Sequence, residues 1–243
     1  MKKLAFTILA TTLAHTSLAM QGMGNMSGME DMGTDPWLNY LKVDQFEWRN
    51  ADEVSIMAWD VSAWSGKSID KLWFNAEGER VRSHTEQAET QLLYGHAISS
   101  YWDVQAGVRS DLDPQPDRHW ATFGVRGLAP YWFDIDAKIF VADHGRSAAR
   151  IKAEYELLLT QKLVLVPDIE INVYSKDDVA RGIGSGLSDI EAGLRLKYEI
   201  IREIAPYIGI VHERKLGTTA NFAREQHDDA QQTMFVAGIS LWF

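Results

Sequence analysis

Apolar and polar residues alternate with a period of two along most of the chain after residue 40. In the clearest segment, residues 133–141, one face carries Phe133, Ile135, Ala137, Ile139 and Val141, and the other carries Asp134, Asp136 and Lys138. Segments 149–160 and 188–200 repeat this pattern. Alternation of this kind predicts β-strands with one apolar and one polar face.

The alternation and the turn residues between segments predict about twelve strands. The predicted strands are 41–49, 54–64, 70–78, 86–98, 101–110, 119–128, 133–142, 149–160, 163–174, 188–200, 205–214 and 233–243. Taken alone, these strands fit either a β-sandwich, whose polar faces meet water, or a membrane barrel.

The lengths of the connections favour the barrel. Tight turns are predicted at 98–101, 128–131 and 160–163, whereas the opposite end carries long polar loops at 175–187 and 215–232. Short periplasmic turns, longer outer loops and an even strand number are typical of outer-membrane barrels. The sequence therefore predicts an all-β fold, a transmembrane antiparallel up-and-down β-barrel over residues 41–243. With an even strand number, both termini are expected on the periplasmic side.

The polar faces of the predicted strands are charged and mainly acidic. They include Asp103, Gln105, Arg109, Asp111, Arg150, Lys152, Glu154, Asp168, Glu170, Asn172, Asp189, Glu191, Arg195 and Lys197. We favour a structural role for each of them, as part of ion pairs that fill the lumen. Passage or retention of metal ions by these carboxylates is the alternative.

Residues 1–19 have the features of a secretory signal peptide. Lys2 and Lys3 precede a short apolar stretch, and Ser17 and Ala19 place small residues at the expected cleavage site. Residues 20–40 then form a predicted flexible, methionine-rich periplasmic segment and linker. We therefore expect export to the outer membrane, with the N-terminus in the periplasm.

Five of the eight methionines recur at three-residue intervals, which we call the methionine stripe: Met20, Met23, Met26, Met29 and Met32. Their neighbours are Gly, Ser, Asn, Gln and acidic residues, too polar to form a core. In an extended chain with three residues per turn, the five thioethers share one side. Thioethers suit Cu(I) far better than hard ions such as Mg²⁺. The stripe therefore predicts a copper site, with Cu(I) favoured, against the alternative of an incidental methionine-rich tail.

Composition narrows the possible partners. The formal net charge of −10 argues against nucleic acid, since phosphates require basic surfaces, and it suits a protein that attracts cations. The absence of cysteine excludes thiolate metal sites. Nine tryptophans and eight tyrosines are consistent with contact to outer-membrane lipid, because such side chains concentrate at membrane interfaces.

Two further positions are candidate metal ligands. His144 follows Asp143, and His212 precedes Glu213, so each pair sets an imidazole beside a carboxylate near a predicted barrel mouth. An ordinary loop histidine is the alternative at each position. The motifs of serine hydrolases, zinc proteases and phosphate-binding loops do not occur, so we expect no enzymatic activity.

Several segments together resemble the copper resistance protein B family of bacterial outer-membrane proteins. They are the methionine-rich stretch, residues 64–67 (WSGK), 71–78 (KLWFNAEG), 103–109 (DVQAGVR), 127–133 (GLAPYWF), 153–162 (AEYELLLTQK) and 212–217 (HERKLG). The resemblance implies a β-barrel, copper binding, a role in copper tolerance and an outer-membrane location. Family members often carry longer Met- and His-rich extensions, so the short stripe here implies docking of a few ions rather than storage.

Two main functions and one weaker option remain after these observations. The first is capture of copper by the stripe, followed by binding or conduction through the barrel, with a periplasmic copper protein as a further partner. The alternative is a non-selective or structural small barrel with an incidental tail. An outer-membrane lipid hydrolase is a third, weaker option, for which no serine and histidine pair is indicated.

Overall fold

The computed structural model describes residues 35–51, 54–82 and 84–243 of the chain. The strands are β1 (Leu38–Ala51), β2 (Val54–Gly66), β3 (Asp70–Val81), β4 (His84–Ser99), β5 (Trp102–Asp113), β6 (Arg118–Ala129), β7 (Phe133–Val141), β8 (Ser147–Glu154), β9 (Leu157–Leu158), β10 (Leu163–Tyr174), β11 (Gly186–Tyr198), β12 (Ile204–Lys215) and β13 (Gln231–Trp242). The predicted signal peptide and methionine stripe lie outside the described residues.

Neighbouring strands pair antiparallel in chain order, and the sheet closes on itself where β1 pairs with β13. The predicted twelve-strand, all-β barrel is confirmed. The predicted strand 149–160 is divided into β8 and the two-residue β9, and both pair with β10. The interruption lies opposite Pro167, whose carbonyl accepts from the Tyr155 amide at 3.1 Å. Proline has no N–H that could donate the second hydrogen bond of this residue pair, so the regular pairing of β8 with β10 ends there.

The two faces of the sheet are inverted relative to a soluble protein. Phe74, Leu92 and Ile139 point outward and are exposed, whereas Gln105 and Thr122 point into the lumen and are buried. An apolar outside and a polar inside are what a barrel in a hydrocarbon environment requires. The period-two prediction therefore assigned the faces correctly in β7, where Ile139 is outside and Lys138 is buried inside.

The two ends of the barrel differ. Leu41 and Phe243 exchange two backbone hydrogen bonds, at 2.8 and 2.9 Å. The start of β1 and the end of β13 therefore lie at the same end of the barrel, which we call the terminal end. Its connections are at 67–69, 100–101, Pro130–Trp132, 155–162 (which contains β9) and 199–203, and all of them are shorter than the two longest connections of the opposite end. We call the opposite end the cap end, because its two longest connections fold over the mouth there.

One prediction at the cap end was wrong. Residues 215–232 were expected to form a loop, but they contain the helix α1 (Gly217–Glu225). Thr219, Ala220 and Ala223 are its buried residues, and their spacing of one turn gives the helix a small face that packs against β11 and β12. No helix among the described residues is long and apolar enough to cross a membrane.

Candidate functional site

The barrel encloses a cavity of about 980 Å³ that is lined mainly by charged side chains. Carboxylates outnumber Lys and Arg side chains among the lining residues. Acidic residues from both ends of the strands contribute, from Asp134 near the terminal end to Glu213 near the cap end. The lumen is therefore a cation-attracting interior.

One group of buried lumen residues joins β1 to β11 and β12, on the same side of the barrel. Glu47 on β1 is 0 % exposed. It accepts hydrogen bonds from Arg195 Nε at 3.0 Å and Nη2 at 2.9 Å, from Arg49 Nε at 2.8 Å and from the Tyr207 hydroxyl at 2.9 Å. Asp168 accepts from Arg195 Nη1 at 2.5 Å. We call Glu47, Arg49, Arg195, Tyr207 and Asp168 the seam cluster, because it spans the strands beside the β1–β13 closure.

A glycine makes room for the seam cluster. A Cβ at Gly238 would lie 2.7 Å from the Tyr207 hydroxyl and 2.7 Å from Glu47 Cβ. Both contacts are closer than Cβ atoms tolerate, so a side chain at residue 238 would displace the buried carboxylate and its phenol donor.

A second group crosses the open lumen. Lys152 Nζ on β8 lies 2.5 Å from Glu77 Oε2, 3.2 Å from Glu170 Oε2 and 3.3 Å from Asp60 Oδ2. We call these four residues the lumen bridge. In the ring of long strands, β2 with Asp60 and β8 with Lys152 lie on opposite sides. The bridge therefore spans the barrel rather than running along its wall.

Arginines extend the lumen bridge towards the cap end. Arg150 pairs with Glu77, and its Nη2 lies 3.0 Å from Glu89 Oε2. Arg109 Nη2 lies 2.7 Å from the same Glu89 oxygen. These pairs join β8 to β3, β4 and β5, so the interior is held by a connected network of opposite charges.

The cap end is held by hydrogen bonds to backbone carbonyls and by salt bridges, one of which joins Arg181 Nη2 to Asp111 Oδ2 at 3.8 Å. Arg181, between β10 and β11, donates to the carbonyls of Asp113, Pro114 and Pro116 at 3.0, 2.6 and 3.1 Å. Arg118 Nε lies 2.8 Å from Asp178 Oδ2. The connection 175–185 is thereby fastened to the β5–β6 connection across the mouth.

The terminal end carries an inward-facing aromatic row. Tyr40 stacks on Trp64 with ring centroids 6.0 Å apart, and Trp64 lies 6.1 Å from Trp73. Lys71 Nζ lies 5.6 Å from the Trp64 ring centroid, and the Arg126 guanidinium lies 5.1 Å from that of Trp73. The aromatic faces at this mouth are thus already occupied by the protein's own cations.

The predicted metal ligands are not brought together. Met20, Met23, Met26, Met29 and Met32 lie outside the described residues. His144 sits in the β7–β8 turn with Nδ1 2.8 Å from Asp143 Oδ2, and both side chains are exposed.

His212 and Glu213 face opposite sides of β12. The imidazole is exposed, with Nδ1 2.8 Å from Thr233 Oγ1, whereas Glu213 lines the cavity. Adjacent residues on a strand point to opposite faces, so proximity in sequence does not create a shared site here.

The described part of the chain contains no group of three or more His, Cys, Asp or Glu side chains arranged to hold a metal ion. Met234 faces the lumen but is 1 % exposed and packs against Tyr207, Val211 and Val236. The described lumen therefore presents carboxylate oxygens, which suit hydrated or hard cations, rather than thioethers.

The sequence pattern places Lys152 and Glu170 on inward faces but does not identify their partners. Asp60 and Glu77 lie on β2 and β3, whose alternation is weak because aromatic residues occur on both faces. The period-two spacing of Ala58, Asp60 and Ser62 was the available signal.

Comparison with known proteins decides the family. The profile described as "Copper resistance protein B precursor (CopB)" matches residues 37–243, a range that includes every strand of the described barrel. The chain belongs to the copper resistance protein B family. The resemblance drawn from the sequence is confirmed.

Two relatives have names of the same kind. The chain is 48 % identical over 205 residues to "Copper resistance protein B homolog" of Pseudomonas syringae pv. tomato (strain ATCC BAA-871 / DC3000), covering 84 % of this chain and 70 % of that protein. It is 45 % identical over 210 residues to "Copper resistance protein B" of Escherichia coli, covering 86 % and 71 %.

Among solved structures, the NanC porin matches with a TM-score of 0.56 at 11 % identity, covering 84 % of this chain and 99 % of that one. The KdgM porin matches with a TM-score of 0.51 at 10 % identity and the same coverage. At such low identity these matches support the barrel fold of this copper resistance protein B family member, and nothing about its ligand.

Proposed function

We propose that this protein contributes to copper resistance in the outer membrane, where it captures copper with the methionine stripe and binds or conducts it through the barrel. The observation that carries the proposal is the family match over residues 37–243, together with relatives named for copper resistance. The apolar outer face of the barrel supports contact with outer-membrane lipid.

The donor chemistry divides the work between two parts of the chain. The stripe offers soft thioethers, for which Cu(I) is the preferred ion, and thioethers bind without releasing a proton. The lumen offers carboxylates, which attract cations of any kind. Capture selective for copper therefore belongs to the stripe, and the lumen supplies a cation-favouring interior. Neither step requires enzymatic activity.

The barrel's construction supports a proposal for its orientation. Short turns and both strand termini occur at the terminal end, which in this class of barrel faces the periplasm. We propose the same orientation here, so that the stripe, which precedes β1, is delivered to the periplasmic side. A periplasmic copper protein is the partner that such an arrangement would serve.

Titration with Cu(I) tests the capture step. We expect replacement of all five stripe methionines by leucine to remove the tightest Cu(I) binding of the purified protein, with loss of sulfur ligation in X-ray absorption spectra. Met57→Leu, which changes a methionine outside the stripe, is the matched control. Unchanged affinity in the five-fold variant would refute capture by the stripe.

The alternative function, a structural or non-selective small barrel, is favoured by the ion pairs that cross the lumen. Growth in copper separates the two. Under the copper proposal, a strain that lacks the protein is more copper-sensitive than its parent, and the wild-type gene restores tolerance. Equal sensitivity of both strains supports the structural barrel.

A further inference from the structure

Lys152 differs from the other cations that hold the lumen network. The side chains of Arg49, Arg109, Arg150 and Arg195 are at most 5 % exposed. The Lys152 side chain is 31 % exposed, and it faces the cavity. Lysine carries its charge on a flexible four-carbon stem without the planar fork that fixes arginine. Lys152 is therefore the network cation with the most freedom to move.

Lys152 lies midway along the lumen, where movement of its side chain would affect the path of an ion. Its contact with Asp60 joins β8 to β2, which lie directly opposite each other in the ring, and Arg150 also crosses the lumen from β8, to Glu77 on β3. Asp60 is the middle residue of β2, so the contact lies midway along the barrel wall. An ion that travels through the lumen has to pass this level.

Carboxylates lie on both sides of the lumen bridge. Asp134 and Glu154 are cross-strand neighbours towards the terminal end. Glu191 and Glu213 are cross-strand neighbours towards the cap end. All four line the same cavity. A small hydrated cation thus has acidic surroundings before and after the bridge, and at the bridge the favourable position between three carboxylates is filled by an ammonium.

We propose that Lys152 is a gate, a tethered cation that occupies the midpoint of the lumen and is displaced when a small hydrated cation passes. In the closed state its ammonium lies between Asp60, Glu77 and Glu170. In the open state the side chain swings into the cavity, and the permeating cation takes its place beside the carboxylates. Anions are excluded, because the same carboxylates repel them. This gate rests on the conduction step of the proposed function.

Conductance of the purified full-length protein in planar lipid bilayers tests the gate in KCl alone. We expect Lys152→Met to raise the single-channel conductance on the order of twofold or more and to shift the reversal potential in a KCl gradient further towards that of K⁺. The matched control is Lys138→Met. It removes the same charge from the lumen, but Lys138 is bound to Asp136 of its own strand at 2.7 Å. An unchanged conductance in Lys152→Met, or an equal rise in both variants, would overturn the gate.

A chemical rescue makes the test independent of how well any one variant folds. The chain contains no cysteine, so Lys152→Cys introduces a single thiol. Alkylation of the folded variant by 2-bromoethylamine forms a thioether, releases bromide and restores an ammonium at lysine length. Reaction with bromoethane adds a neutral group instead. The gate predicts that the aminoethyl group returns the conductance to the wild-type level and that the ethyl group does not. Equal conductance after both reactions contradicts it.

The gate and the copper proposal can fail separately, because the bilayer measurement contains no copper. If Lys152→Met opens the pore but loss of the protein does not alter copper tolerance, the gate stands and the copper function fails. If the stripe variant loses Cu(I) binding but Lys152→Met leaves the conductance unchanged, the reverse holds.

Discussion

The seam cluster and the lumen bridge both pair cations with carboxylates, but the cations are arginines in the first and a lysine in the second, and the two differ in burial and in the strands they join. Glu47 is fully buried and binds partners on strands close to the β1–β13 closure. Lys152 is partly exposed and binds carboxylates across the cavity. Ion pairs thus hold strands together in the seam cluster, whereas in the lumen bridge they form a contact that can move. Burial and side-chain type together decide which role an ion pair has, because desolvated charges cannot be released without loss of stability and lysine is more flexible than arginine.

The largest effect we expect separates the two groups by stability. Glu47→Ala leaves Arg195 and Arg49 buried without their shared carboxylate, so it should lower the free energy of unfolding by about 3–5 kcal/mol. Unfolding by guanidinium in detergent, followed by tryptophan fluorescence, measures this.

Glu154→Ala is the control for that experiment, since Glu154 lines the cavity but forms no salt bridge with the described residues. A loss below about 1 kcal/mol in Glu47→Ala, which is the range of exposed pairs, would erase the distinction between the two clusters.

The next effect concerns the cap end, which belongs to neither cluster. Arg181→Ala removes three hydrogen bonds to the carbonyls of residues 113–116. With about 1 kcal/mol or more for each bond from a charged donor, backbone amides in 175–185 should exchange hydrogen roughly tenfold faster or more.

Hydrogen exchange followed by mass spectrometry checks this, with Arg146→Ala as the control, because the one salt bridge of Arg146 with the described residues is to the exposed Asp143 at 3.4 Å. If hydrogen exchange at the backbone amides of β1 and β12 becomes faster by the same factor in Arg181→Ala, the connection 175–185 opens together with the barrel wall rather than separately.

A smaller effect is expected on the stability of the lumen bridge. Lys152→Met should change the free energy of unfolding by about 1 kcal/mol or less, because a partly exposed ion pair contributes little to stability. The same guanidinium experiment measures it beside Glu47→Ala. If Lys152→Met lowers the free energy of unfolding as much as Glu47→Ala does, Lys152 stabilises the barrel like the seam cluster and there is no reason to treat it as movable.

The smallest effect we expect concerns an exposed contact outside the barrel wall, between Asp35 and Ser68, which should not affect the stability of the barrel. Asp35 accepts from the Ser68 backbone amide at 3.2 Å and from the Ser68 hydroxyl at 2.5 Å, and these bonds lower the pKa of its carboxyl below the usual value. A lowered pKa means that the contact stabilises at neutral pH and is lost as pH falls through the folded-state pKa.

Titration of the Ser68 amide resonance should therefore show a transition at acidic pH that Asp35→Asn abolishes, while barrel stability remains the same in both proteins. A pH-independent Ser68 resonance in the wild-type protein would contradict the prediction.

The sequence predicted the barrel well because one lipid-facing and one lumen-facing side impose a strict period of two on every strand. The division of strand 149–160 was not foreseen, because it depends on Pro167 lying opposite Tyr155. The position of His212 and Glu213 on opposite faces was available from the same periodicity, but their adjacency in the chain was weighted more heavily.

The lumen bridge could not be read from periodicity alone. Alternation places Lys152 and Glu170 inside, but it does not tell which strand lies across from β8. That depends on the strand number and on the stagger of the whole ring. The seam cluster has the same origin, since Glu47 and Arg195 meet only after the barrel closes. Sequence patterns thus predict which side chains enter the lumen, and the closed ring determines which of them meet.

The closure of β1 on β13 also sets the order of folding. Glu47 and Tyr207 are 160 residues apart in sequence, and their hydrogen bond forms only when nearly the whole chain is in place. Contacts of such long range carry the largest loop-closure entropy and slow the folding rate. We therefore expect sheet growth along neighbouring hairpins to come first and ring closure to be the slow final step. A Glu47 substitution would then leave an open, edge-exposed sheet for longer, at the stage when the chain is most prone to pair with another copy of itself.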